Sequence, residues 1–99
     1  MRMLMRVQIP TEAGNAAIMD GSLPKIMASV LEALKAEAAY FTAEDGMRTG
    51  LIFFDMKDST DIPSAAEPLF MGLKASITMA PVMNVEEMQI GVGKAMTPA

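Results

Sequence analysis

Hydrophobic residues recur along this chain at two spacings, every second residue or every third to fourth, and the order in which those spacings alternate leaves few folds open. From Met3 to Ile9, the apolar Met3, Met5, Val7 and Ile9 alternate with Leu4, Arg6 and Gln8, the period of a strand with one wholly apolar face. Pro10 ends that ladder, Thr11 is placed to cap, and Glu12 to Met19 reads as a short helical segment broken at Asp20-Gly21. A second helix starts at once. Ser22 is its expected N-cap, Pro24 lies in its first turn, and Leu23, Ile26, Met27, Val30, Leu31 and Leu34 repeat at helical spacing to about Ala36.

The strand period returns at Ala38 to Thr42 and again from Met47 to Met56, with Glu44-Asp45-Gly46 between them. An Asp-Gly pair flanked by strand patterns predicts a tight hairpin. The polar run Asp58-Ser59-Thr60-Asp61 then precedes a helix over Ile62–Leu73, which presents Ala66, Leu69, Phe70 and Leu73 to a core and carries Pro68 inside it. Ser76 to Val82 reads as a fourth strand, where Pro81 predicts an edge position or a bulge. Asn84 with Glu87 has the spacing of a capping box, although Gly91 and Gly93 weaken the last helix and predict a frayed end.

Strand, helix, strand, strand, helix, strand is the ferredoxin-like α+β plan, with an added C-terminal helix. It predicts one antiparallel sheet in the order fourth, first, third, second strand, with the helices on one face. A chain of 99 residues with 52% hydrophobic content and a mean hydropathy of +0.29 suits a single domain over residues 1–99.

Composition removes most chemistry. The chain has no Cys, His or Trp, so thiolate nucleophiles, disulfides, sulfur-ligated metals and imidazole metal or haem sites are excluded, and no cofactor is expected. Twelve acidic against eight basic residues give a net charge of −4, which repels the nucleic-acid backbone and anionic lipid. No stretch reaches the length of apolar residues that a membrane span needs. Arg6, Gln8 and Pro10 interrupt the start of the chain before a signal peptide forms. The cytoplasm is the location expected by elimination, with neither nucleic acid nor membrane as a partner.

Assigning the uniformly apolar parity to the helices leaves Leu4, Arg6, Gln8, Tyr40, Thr42, Thr49, Leu51, Phe53, Asp55, Thr78, Ala80 and Val82 on the other, open face. A surface so apolar in its middle is expected to meet a second copy, closing two sheets face to face about a two-fold axis. With the opening strand Met3–Ile9, the Tyr40-Phe41-Thr42 to Asp45-Gly46 hairpin, the Leu51-Ile52-Phe53-Phe54-Asp55 strand and the Ala66-Glu67-Pro68-Leu69-Phe70 helix, nearly the whole chain resembles the dimeric α+β barrel superfamily. In character it is closest to the superfamily's small members of unknown function. The resemblance implies a homodimer, or a higher homo-oligomer. Members of the superfamily that act on haem or as cofactor-free oxygenases generally use His, Trp or Asn in the cleft, and this chain has no His or Trp.

Three residues are candidates for binding. Arg6 and Asp55, expected to share one cleft, would either hold and deprotonate a ligand or form a cross-strand ion pair. Tyr40 would place its hydroxyl on a ligand, or pack its ring and bond a backbone group at the sheet edge. The functional expectation is a small, largely apolar molecule bound between sheet and helices without catalysis. The alternative is a cofactor-independent enzyme, monooxygenase-like or isomerase-like, acting on an aromatic or polyketide-like substrate. The twelve methionines, Met27, Met71, Met79 and Met88 among them, are expected mainly in the interior. Glu44-Asp45 and Asp58-Asp61 are expected to serve turns and caps rather than a hard cation.

Overall fold

In the computed structural model, which describes residues 1–97, the alternation of the first strand is realised residue by residue. Strand β1 (Arg2–Ile9) buries Met3, Met5, Val7 and Ile9 and leaves the side chains between them half-buried. It pairs antiparallel on both sides, with β3 (Met47–Asp55) and with β4 (Ser76–Pro81). Strand β2 (Ala38–Glu44) pairs with the far edge of β3, giving a four-stranded sheet in the order β2-β3-β1-β4. This is the predicted ferredoxin-like order, and Pro81 lies at the end of an edge strand, where its missing N–H breaks no ladder.

The hairpin between β2 and β3 turns on two residues. Asp45 and Gly46 both have positive φ, at 55° and 74°, as a two-residue hairpin loop requires for its twist to match that of the strands. Gly46 adopts this conformation at no steric cost, and Asp45 is among the few other residues that tolerate it.

One face of the sheet carries α1 (Thr11–Met19), α2 (Ser22–Leu34) and α3 (Ile62–Leu73). Met27 and Val30 of α2 and Ala65, Ala66, Leu69 and Leu73 of α3 close over Met5, Val7, Ile52 and Phe54. Each such large side chain contributes about 1.5–3 kcal/mol by leaving water. The buried stripe of α3 keeps the expected Ala66, Leu69 and Leu73 and differs from the sequence expectation at one edge. Ala65 joins it, and Phe70, next to Leu69 and so about 100° around the helix, is 41% exposed. Met71 and Met88 are likewise exposed rather than interior, whereas Met27 is buried and Met79 packs partly against the core.

Ser22 is not the N-cap of α2. Gly21, with φ of 79°, takes that position, and the Asp20 side chain accepts the Ser22 N–H at 2.8 Å. Hydrogen bonding from Ser22 holds the Asp20 carboxyl below its ordinary range. The cap therefore comes from outside the helix, because a glycine in the left-handed region lets the chain turn sharply from α1 into α2.

The last helix, α4 (Val85–Met96), carries the predicted capping box. The Asn84 side chain accepts the Glu87 N–H, and the Glu87 carboxylate accepts the Asn84 N–H. The helix runs through both Gly91 and Gly93, yet none of its residues is buried. The molecule measures 56 × 27 × 18 Å, with a radius of gyration of 15.8 Å, against about 13 Å for a compact chain of this length. No helix among the described residues is long and apolar enough to cross a membrane.

Candidate functional site

The open face of the sheet is built from alternate residues of all four strands. In register across β1 and β3, Arg2 stands opposite Asp55, Leu4 opposite Phe53, Arg6 opposite Leu51 and Gln8 opposite Thr49. Tyr40 of β2 lies beside Leu51, and Thr78 and Ala80 of β4 lie beside Arg6 and Leu4. The centre is therefore apolar, and the charges sit at its two ends. Tyr40 is 64% exposed and turns its ring edge-on to Phe53, with centroids 6.4 Å apart. Its hydroxyl makes no hydrogen bond within the described residues.

Arg6 and Asp55 share this face but not a cleft. The register sets them four residues apart along the strands, roughly 13 Å. Each has another partner. The Arg6 guanidinium, about one-third exposed, donates to the Glu44 carboxylate and lies 3.8 Å from Asp45. Gln8 donates to the Glu44 carbonyl and the Asp45 carboxylate. Asp55 accepts from the amino group of Met1 at 2.7 Å, and that ammonium holds its carboxyl below the ordinary carboxylate range. A carboxylate stabilised in its charged form is a poorer proton acceptor, and neither the expected Arg6–Asp55 ion pair nor a shared cleft in which Arg6 holds a ligand that Asp55 deprotonates is formed. Parity reports which face a side chain takes, whereas partner choice follows register and side-chain reach. Glu44 and Asp45 serve the turn and pair with Arg6. No cluster of acidic side chains suited to a metal ion occurs among the described residues.

Arg2 closes the opposite end. Its Nε donates to Glu37 at 3.1 Å, and its Nη1 donates to Glu87 at the start of α4. The Glu87 carboxyl is held below its ordinary range, first by the Asn84 N–H and then by Arg2. Because the folded-state value is depressed, the stabilisation is present above the unfolded value near 4.5 and is lost as pH falls through the lower folded one. Protection of the α4 amides, followed by hydrogen exchange and corrected for intrinsic rates, should therefore fall selectively between pH 6 and pH 3. In Glu87→Gln that selective pH dependence should be gone. Equal pH dependence in the two proteins would show that Glu87 does not anchor the helix.

Several depressions flank the core on the helix side, among them one of about 520 Å³ lined by Leu34, Lys35, Phe54, Asp55, Lys57 and Asp61. A cleft of about 260 Å³ opens between the β2–β3 hairpin and α2, walled by Leu23, Met27, Phe41, Gly50, Ile9 and Arg48. Strand β2 extends past the cover of the helices, so Phe41 is 57% exposed and its ring lies over Gly50. A Cβ at Gly50 would come within 3.1 Å of that ring, which is why a glycine suits this point in a strand otherwise rich in large residues. Arg48 crosses Gly14 of α1 and donates to Asn15 at 3.1 Å. It has no carboxylate partner among the described residues. Another groove, about 340 Å³, runs between α2 and α3 over Ile26, Val30, Leu34, Pro68 and Gly72.

Strand and helix periods single out neither Phe41, Gly50 nor Arg48. The signal available is Gly50 itself, an isolated glycine inside a strand pattern, which marks close approach of another group. No protein-family model, no curated protein and no solved structure matches this chain. The arrangement of its own residues therefore carries the functional reading.

Proposed function

We propose that this chain works as a homodimer of the dimeric α+β barrel type that binds a small, largely apolar molecule in the cleft between sheet and helices. The observation that carries the binding half is the cleft beneath Phe41. Its walls are largely apolar, and its volume of about 260 Å³ lies just below the ~300 Å³ at which the range for small-molecule sites begins. Arg48 at its rim would meet an acceptor or anionic group at one end of such a molecule. The dimer half rests on the open face, where Leu4, Tyr40, Leu51 and Phe53 form an apolar centre with polar ends, the layout of an interface core and rim.

Native mass spectrometry of protein purified directly from cells tests both halves together. The expected result is a dimer carrying additional mass, whose identity gives the chemical class of the ligand. A bare dimer that also takes up no hydrophobic probe, such as anilinonaphthalene sulfonate, would remove the binding half. A monomer at micromolar concentration would remove the dimer.

A further inference from the structure

We infer that α4 is an arm that packs its apolar stripe onto the margin of the open sheet face of a second copy of this chain, beside the sheet-to-sheet contact. At 100° per residue, Val85, Met88, Val92 and Met96 fall on one side of the helix. All four are exposed, at 63%, 43%, 53% and 78%. Glu87 lies roughly 140–180° around the helix from Val85, Val92 and Met96. It is held by Arg2, whose side chain is on the open face of the same chain. That contact starts α4 on the open side of the sheet and turns most of the stripe away from its own domain.

A helix of 12 residues is marginal in water without tertiary contacts, and each interior glycine weakens it by a further ~1 kcal/mol. The capping box and Arg2 hold only the first turn. A surface for the stripe must therefore come from elsewhere, and area identifies it. The chain exposes 6637 Å², whereas a folded monomer of its mass exposes roughly 5,500 Å². The excess exceeds the ~800 Å² that each partner buries in a stable interface of standard size. The stripe and the apolar centre of the open face are the two surfaces that such burial would cover, and both lie on the same side of the sheet.

This inference rests on the dimer reading, and the test separates the two. Sedimentation equilibrium on the full chain and on a Met88→Asp/Val92→Asp double variant should show the dissociation constant of the dimer rising by at least about 100-fold. The chain has no cysteine, so Val92→Cys labelled with a benzophenone maleimide gives a single photo-cross-linking point. Irradiation should yield covalent dimers joined to the peptides that carry Tyr40, Leu51 or Phe53. A monomeric parent chain would sink the dimer and the arm together. A dimeric parent whose constant is unchanged in the double variant, or cross-links confined to one chain or to the helices of the second copy, would overturn the arm alone.

Discussion

Phe54→Ala is expected to lower the unfolding free energy by about 3–5 kcal/mol, the range for truncating a fully buried aromatic side chain. Phe54 is 2% exposed and lies on β3 opposite Met3, on the face covered by the helices. Leu69 and Leu73, in the same core cluster, are themselves 0% and 1% exposed and anchored on α3. They cannot collapse into the space without moving that helix, so a cavity remains and its walls lose their contacts. A domain of this size has about 5–15 kcal/mol in total, which makes the loss a large fraction of the whole. Urea unfolding at one fixed protein concentration measures it, because the stability of a dimer depends on concentration. A change below about 1 kcal/mol would mean that the core closes over the gap, contrary to this packing.

Phe53→Asp, one residue away on the opposite face, should act on association instead. Phe53 is half-buried and in edge contact with Tyr40, so a charge there remains accessible to water in the isolated chain and costs its fold little. In a face-to-face pair the same carboxylate would be driven into the apolar centre formed with Leu4 and Leu51, unpaired and desolvated. A two-fold axis repeats the penalty, once from each copy. A rise of at least about 1,000-fold in the dimer dissociation constant is expected, equivalent to ~4 kcal/mol. Sedimentation equilibrium gives the constant, and urea unfolding of the dissociated variant gives the fold stability. An unchanged constant would show that the open face is not the interface. Loss of folding would show that Phe53 belongs to the core of the single chain.

Phe53 and Phe54 show how much of the fold is legible in the sequence. A period of two assigns neighbouring residues to opposite faces, and both rings lie on the expected sides. The Asp45-Gly46 hairpin and the Asn84–Glu87 capping box are equally legible, because each depends on contacts within a few residues. The candidate site is less so. Strand parity places Arg6 on the correct face but gives it the wrong companion, since Glu44 and Asp45 reach it across β3 from the end of the β2–β3 hairpin. Asp55 lies beyond Arg6's reach at the other end of the face. Phe41 belongs to an expected strand, yet its lean over Gly50 depends on β2 projecting beyond the helices.

The main strands and helices, their order, the apolar side of each strand, the Asp45-Gly46 turn and the Asn84–Glu87 capping box are therefore already present in the sequence, whereas the cap of α2 is not. The features present there follow from interactions between residues close in the chain, whose geometry the backbone sets at once. Tertiary structure alone decided which charges pair, that α3 turns Ala65 inward and Phe70 outward, and that α4 presents Met88 to solvent. Those outcomes depend on the register between distant strands and on how far each helix covers the sheet, and both are settled only when the elements compete for the same surface.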